Sequence, residues 1–517
     1  MEAEGFEHWG GGGNDAQFMD QMGSPYLLAH GLGTPVTDAW TPVVFPENGK
    51  YRAWVRTRDW TAPWKVPGHP GRFRVLVGGR PLPAVFGTEE ARWHWRDGGT
   101  VEIRKRRTAL GLHDLTGFEG RCDALFFTKD LSFRPPAGGK TLAEFRRRLL
   151  GLPEKPVEEG PFDLVVTGGG ITGICAALAA ARLGLKTALI QDRPVLGGNN
   201  SSEVRVWLGG SRNVDPYPRV GDIVKELEPP RRPKVCPWKG DDRDRDARRE
   251  ALVRSEKNLS LFLNNRVNAV ETEGGRIAAV LSRDTVKGVR RRFRGRWFAD
   301  TTGDGCVGYL AGADFRITRK GHMGRSNLWY LEDTGRPSPF PRCPWALDLA
   351  HKPFPGRNRG DKGGLNALGK WFWESGFDRD PFGEGEYIRD WNFRAMYGAW
   401  DTLKNVDHRF STYRIAWAAY VSGKRESRRL LGDVILQAGD LLERRKFPDG
   451  CVPTGWPMDV HEPDPAYAKG FEGDAFISRA RYTRYKMPFW IPYRCLYSRN
   501  VPNLFMAGRD ISVTHQA

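Results

Sequence analysis

No apolar run in the 517 residues approaches the roughly 20 needed to cross a bilayer, so no transmembrane helix is expected. Cysteine is sparse and scattered, at 122, 175, 236, 306, 343, 451 and 495, with no CxxC pair. That spacing argues against zinc-ribbon and iron–sulfur sites, and the odd number argues against a fully paired disulfide framework. No metal centre is expected. Histidines number only 10, so acid–base candidates can be weighed one by one. Internal repeats are absent, and the only low-complexity tract is GGGG at 10–13. The opening MEAEGFEHWGG has neither a basic start nor an apolar stretch, so no leader is visible. As written the sequence reads as cytoplasmic, or as exported if the start codon lies further upstream.

What is present begins with charge. The net balance is +18, but residues 1–160 hold 22 Lys/Arg against 20 Asp/Glu, so nearly all the excess lies beyond them. Part of it is clustered in KGVRRRFRGRW, 287–297. Basic clusters attract anionic ligands or nucleic acid. A strand pair with arginines facing water has the same composition and is the preferred reading, so a nucleic-acid partner is not expected.

Residues 1–135 read as all-β. KYRAWVRTRDW (50–60) and RFRVLVGGRPL (72–82) contain alternating apolar and polar positions, and CDALFFTKD (122–130) is a further strand. Gly and Pro punctuate them at short intervals, the pattern of a sandwich. The order EAEGF, GGGG, PENGKYRAWVRTRDW, GRCDALFFT resembles carbohydrate-binding-module jelly rolls. That resemblance implies a glycan as a partner of the N-terminal domain. Glu2 and Glu4 match positions where some such modules hold calcium, although a solvated edge strand is the expected setting. A Pro/Gly-rich linker around one short helix occupies 136–160.

Beyond the linker the pattern becomes strand–helix–strand. In DLVVTGGGITGICAALAAARLGLKTALIQDR (163–193) an apolar run leads into Gly168, Gly170 and Gly173, a G-x-G-x-x-G turn. The first glycine permits the tight turn, the second lets a pyrophosphate approach the backbone, and the third lets helix lie close to sheet. The helix N-terminus offers free N–H groups and a partial positive charge to phosphates. A second strand follows within about 30 residues, the context that makes this turn a dinucleotide signal. Gln191 stands where a ribose-binding acid is usual, with Asp192 beside it.

Three later segments add to the turn: RPVLGGNNSSEVRVW (193–207), RRFRGRWFADTTGDG (291–305) and VPNLFMAGRDIS (501–512). Together they resemble bacterial FAD-dependent oxidoreductases of the glutathione-reductase-like class, related to the flavoprotein core of heterodisulfide reductase and fumarate reductase. The resemblance implies an α/β fold. A Rossmann-like FAD-binding domain with a parallel sheet would span 161–315 and 496–517, with a mixed α+β substrate region inserted at 316–495. It implies FAD as cofactor. Gly168, Gly169, Gly170, Ile171, Thr172 and Gly173 would cradle the pyrophosphate, and Gln191, Asp192 and Arg193 would meet the adenosine ribose. Gly198, Asn199 and Ser201 would approach the ribityl chain and flavin, and Val267 the adenine. Thr302, Gly303 and Asp304 form a second nucleotide contact, and Gly508, Arg509 and Asp510 the ribityl contact, with Arg509 where relatives carry an acid. Flavoproteins of this class close with a long helix after the last strand, so the ending AGRDISVTHQA implies a truncated C-terminus.

Flavin oxidation of a C–H bond usually needs a base for the second proton. His461 in MDVHEP ranks first, followed by His515, with His322 also weighed. Arg205 and Arg425 are candidate clamps for an anionic substrate. The expected function is hydride transfer between flavin N5 and a small organic substrate, a sugar derivative among the candidates, with an unassigned electron acceptor. Two alternatives stand beside it: a silent glycan-binding protein on a nucleotide-fold scaffold, and an FAD-dependent RNA-modifying enzyme. The aromatic stretches of 316–495 are read mainly as core.

Overall fold

The computed structural model describes residues 1–210, 213–228, 237, 239, 243–357, 364–471 and 474–517. Cys236 lies outside them, and the other six cysteines are free thiols.

Between residues 13 and 128 the chain forms β1 (Gly13–Asp15), β2 (Tyr26–Ala29), β3 (Ala39–Val44), β4 (Gly49–Thr57), β5 (Phe73–Val77), β6 (Arg80–Pro81), β7 (His94–Ile103), β8 (Arg107–Asp114) and β9 (Gly120–Thr128). They pair as two antiparallel sheets, β1-β2-β9-β4-β7 and β3-β8-β5-β6. Alternation sets the faces: Phe73, Val75 and Val77 of β5 point inward, meeting Ala53, Val55 and Leu125 of the other sheet in one core. A short helical turn, α1 (Met19–Met22), leaves this unit toward the rest of the molecule.

The linker helix α2 (Gly139–Leu149) is docked on the sheets. Its Arg146 donates to Glu2 and, at 2.9 Å, to Asp123. Glu2, Glu4 and Asp123 therefore form a cluster under a guanidinium, and Glu4 is buried, which corrects the expectation of a solvated edge strand. Burial, with the Asp123 charge beside it, pushes the Glu4 carboxyl well above its ordinary range.

The second half is built on β10 (Val157–Thr167), α3 (Ile171–Arg182), β11 (Thr187–Ile190), β12 (Leu259–Phe262), β13 (Asn265–Glu273), β14 (Arg276–Asp284) and β15 (Arg290–Asp300). β12, β11, β10 and β15 run parallel in that order, as a strand–helix–strand sequence demands. The first half of β15 pairs antiparallel with β14, while its last three residues pair parallel with Leu504–Met506 near the C-terminus. Three of the five arginines of the basic cluster pair with acids of the same sheet: Arg291 with Glu159, Arg292 with Glu158 and Glu271, and Arg294 with Glu158. The cluster is thus an ion-pair ladder rather than an unopposed cationic stripe.

Helix α4 (Cys306–Leu310) follows β15. Further on, the short strands β16 (Arg325–Ser326), β17 (Glu374–Ser375) and β18 (Gly423–Lys424) form a three-stranded sheet with β16 in the centre. Helix α5 (Gly385–Asp401) precedes β18 in the chain and is buried along nearly its whole length. Trp329, Trp345, Trp373, Trp391 and Trp400 gather around it in a single core, as the reading of these aromatics as core requires. Trp60 and Phe118 of the N-terminal sheets belong to the same core. A buried ionic network crosses the same boundary. Arg121 of β9 donates to Asp390 at 2.5 Å and to Glu386 at 2.7 Å, and Arg389 donates to Asp15 at 2.7 Å. Arg121, Asp390, Arg389 and Asp15 are all 0% exposed. The N-terminal sheets and the second half of the chain therefore share a core. Among the described residues no helix is long and apolar enough to cross a membrane.

Candidate functional site

The C-terminal ends of the parallel strands meet along one edge of the sheet, where open α/β folds bind ligands. Gly168 follows β10, Gln191 follows β11, Thr301 follows β15 and Ala507 follows Leu504–Met506. These segments line a cleft of about 390 Å³.

Each glycine of the turn has a separate reason. Gly168 has φ +108°, and a Cβ there would come within 2.4 Å of the Thr301 carbonyl oxygen. A Cβ on Gly173 would lie 1.9 Å from the Gly168 oxygen, so α3 can approach the strand only without one. Gly170 differs: a Cβ would meet nothing within 4 Å, because it would project into the cleft. Gly170 also caps α3, and no side chain caps the helix in its place. The first N–H groups of α3 and their partial positive charge therefore face the cleft. The Gly197 loop closes against this turn, its N–H donating to Gly169 O at 2.8 Å. Arg249, fully buried, holds that loop by donating to Asn200 O at 2.9 Å.

Of the residues expected at the dinucleotide, Gly168, Gly170, Ile171, Thr172, Asp192, Arg193, Gly198, Asn199, Val267, Thr302, Gly303, Asp304, Gly508 and Arg509 line the cleft. Gln191 reaches it too, but its amide is already engaged. Its Oε1 accepts from Gly169 N at 2.7 Å and its Nε2 donates to Val195 O at 3.1 Å. Its side chain braces the turn, and Asp192 is the carboxylate left at the ribose position. The Arg193 guanidinium is held by Glu203 at 2.6 Å.

Gly169, Gly173, Ser201 and Asp510 do not line the cleft. Gly169 packs on Leu196 and Gln191, and Ser201, 1% exposed, accepts from Glu203 N. Asp510 points beneath the β15 turn, where Gly305 N donates to it at 3.3 Å. Burial and the adjacent Asp300 raise its pKa well above the carboxylate range, so it keeps a proton. The unfolded chain loses that proton above the ordinary carboxylate pKa of about 3.9. The folded state then binds more protons, and stability falls as pH rises from there toward the raised pKa. Asp510→Asn should remove this slope, seen as a smaller loss of Tm between about pH 5 and pH 8 than in the parent. Parallel Tm profiles would show that Asp510 carries no proton.

Asp304 does line the cleft, as Asp192 and Glu203 do. Burial works against its charge, but Lys424 and Arg509 outweigh that and hold it well below the ordinary range. Arg509, standing where an acid was expected, is thus paired with an acid from the other turn, at 3.5 Å. Lys424, in SGKRES, and Arg266, in NNRVNAVET, are cleft residues that sequence reasoning missed.

The catalytic candidates fall outside the cleft. His461 is 2% exposed, with Nδ1 2.6 Å from Glu374 and Nε2 3.4 Å from Asp459. Burial opposes charge on its ring, yet hydrogen bonds to Asp459 and Glu374 raise its pKa. Its ring is buried outside the cleft, held by Glu374 and facing Asp459, so the geometry gives His461 a structural part. His515 pairs with Glu426 at 2.7 Å. His322 places both ring nitrogens on backbone carbonyls. Arg205, in a left-handed backbone conformation, lies over the Trp417 ring at 4.4 Å and donates to Tyr330. Arg425 donates to Trp371 O.

Parallel strands ending in a glycine cradle and a helix N-terminus define a dinucleotide-binding fold. The chain matches the FAD dependent oxidoreductase family over residues 163–334 and 346–517, and it belongs to that family. The α-glycerophosphate oxidase of Streptococcus pneumoniae serotype 4 is 36% identical over 85 residues, 16% of this chain and 14% of that protein. The glycerol-3-phosphate dehydrogenase of Mycobacterium leprae is 43% identical over 54 residues, 10% of this chain and 9% of that one. The alignments therefore span a small part of those relatives. Among solved structures, the Bacillus halodurans glycerol-3-phosphate dehydrogenase complexed with FAD aligns with 38% of this chain and 44% of its own, at 16% identity and a TM-score of 0.24. A myxobacterial chondrochloren halogenase aligns with 37% and 46%, at 19% identity and a TM-score of 0.23.

Proposed function

We propose that this protein transfers a hydride between a small organic substrate and flavin N5, with a sugar or polyol derivative as the substrate class. The reading is carried by Gly170: its Cβ position opens into a cleft bounded by every segment that would contact FAD. When bound there, FAD supplies two-electron chemistry, and the protein supplies position, charge and exclusion of water. The α3 N-terminus and the Gly168–Thr172 backbone would hold the pyrophosphate. Asp192 would meet the ribose, and Gly198, Asn199 and Gly508 the ribityl and flavin end; all four line the cleft. Substrate chemistry of the polyol type is supported by the short alignments with the α-glycerophosphate oxidase and glycerol-3-phosphate dehydrogenases.

The test is anaerobic reduction of the flavin-loaded protein by glycerol 3-phosphate, sugars, sugar acids and amines. At least one should bleach the visible flavin absorbance. A protein with a full flavin complement that none of them bleaches would overturn the reading. In the same assay His461→Ala should leave the reduction rate per bound flavin within about threefold of the parent, because its ring is buried outside the cleft against Glu374. A general base would cost about a hundredfold or more, and a loss of that size would return His461 to the mechanism.

A further inference from the structure

A second cavity, of about 570 Å³, adjoins the dinucleotide cleft, and Arg266, Val267, Asp304, Cys306 and Lys424 border both. Its outer wall comes from the N-terminal unit. The segment Gln17–Gln21 and Gly23 lies over it, fixed by Gln21 donating to Phe382 O and by Asp20 pairing with Arg266 at 2.5 Å.

The charge of this lining is unbalanced. It presents Arg266, Arg283, Arg325, Lys424 and Arg428 against two carboxylates, Asp20 and Asp304. The carboxylates are used by Arg266 and Lys424. Arg283 donates to the Gly23 carbonyl, and Arg428 to the Asp304 carbonyl while lying 3.7 Å over the Phe382 ring. Neither has a carboxylate partner among the described residues.

Arg325 is the most exceptional. It is 5% exposed, its Nε has no hydrogen-bond partner, and its guanidinium makes no ion pair among the described residues. Its terminal nitrogens lie against Gly385, the first residue of α5, where a Cβ would come within 3.0 Å of them. The positive end of a 17-residue helix thus faces the same guanidinium. Burial, helped by the nearby Arg509 and Arg389 charges, pushes the Arg325 pKa down to about 10 despite Asp304 and Asp380, the mark of a cation short of counter-charge. Proteins rarely bury an arginine unpaired, because the desolvation cost is large and nothing returns it. A bidentate oxyanion returns it, since the guanidinium fork matches carboxylate and phosphate geometry.

We propose that this cavity is a binding site for a small oxyanion, a phosphate or carboxylate group, clamped by Arg325 with Arg428 at its side. The N-terminal unit then has a part in the chemistry of the whole: it closes the wall of an anion site beside the flavin cleft. The anion is either the head group of the substrate or a separate effector.

Flavin-loaded protein titrated with inorganic phosphate, and separately with malonate, tests the site by calorimetry and by the ligand-induced rise in Tm. Arg325→Met should bind phosphate about tenfold or more weakly, the loss of a charge-assisted bidentate contact, with FAD content unchanged. Its Tm without ligand should not fall, since an unpaired buried charge has been removed. Arg428→Gln provides a second variant, expected to weaken phosphate in the same direction. If phosphate competes with a reducing substrate, the site holds the substrate head group, and if it binds without competing it holds an effector. Either result supports the site, and the calorimetric and Tm readouts of binding do not depend on whether any substrate reduces the flavin. Equal affinity in the parent, Arg325→Met and Arg428→Gln would overturn the proposal. So would absence of binding by both anions, or binding seen only in FAD-free protein, which would assign the anion to the pyrophosphate cradle.

Discussion

Gly170→Val should give a folded protein that no longer holds FAD. Gly170 sits at φ −67° and ψ 173°, a backbone conformation open to any L-residue. Valine therefore brings no backbone strain, and its cost as a helix cap is about 1 kcal/mol. The side chain has nowhere to go except the cleft, where its Cβ and two methyls would occupy the space required by the pyrophosphate. Gly173 provides the contrast. Its missing Cβ is filled by the Gly168 carbonyl 1.9 Å away, so Gly173→Ala should separate α3 from β10 and lower stability itself. The measurements are the flavin-to-protein absorbance ratio after reconstitution and far-UV circular dichroism. A folded Gly170→Val protein with a full flavin complement would show that the turn does not hold the dinucleotide.

The parallel sheet and its glycine cradle were legible because their causes are local. Apolar LVV, the spacing of Gly168, Gly170 and Gly173, and the small residues of α3 each act within a few residues of one another. What was not legible depends on where a side chain turns after leaving a strand. Gln191 occupies the ribose position in sequence, but the Gly169 amide captures its side chain. Asp510 is next to cleft-lining Arg509, yet it turns under the sheet edge toward Asp300. Arg325, in GHMGRSNLWY, carries no mark that separates it from a surface arginine. Its burial is decided by segments far away in the chain, including Phe18, Phe382 and Arg428. Neither the balanced charge of residues 1–160 nor the Pro/Gly linker gives a sign of the coupling between the N-terminal unit and the rest of the chain, since the partners of Arg121 and Arg389 lie 269 and 374 residues away in sequence.

Asp390→Ala should be among the most destabilising single substitutions in the chain, and it tests that long-range coupling directly. Asp390 accepts from Arg121 at 2.5 and 2.9 Å and from Arg389 at 2.7 Å, all three side chains fully excluded from solvent. Removing the carboxylate leaves two guanidiniums in a low-dielectric core with only Glu386, Asp15 and the Tyr26 hydroxyl to share. Breaking a buried pair in this way costs about 3–5 kcal/mol, a large part of the roughly 5–15 kcal/mol by which most domains are stable. The sign reverses if the ions leave together: Arg121→Met with Asp390→Leu should recover much of the loss, because two desolvated charges are exchanged for packing area. The same physics says that residues 1–135 expressed alone should aggregate or lack a cooperative transition. Asp15 and Arg121 would lose their partners, and Trp60 and Phe118 would lose the core they share with Trp345 and Tyr397. Urea denaturation of the full-length variant, followed by tryptophan fluorescence, measures the first effect. A loss under about 1 kcal/mol, the size of an exposed ion pair, together with a cooperatively folded 1–135 fragment, would mean that the network does not couple the two halves.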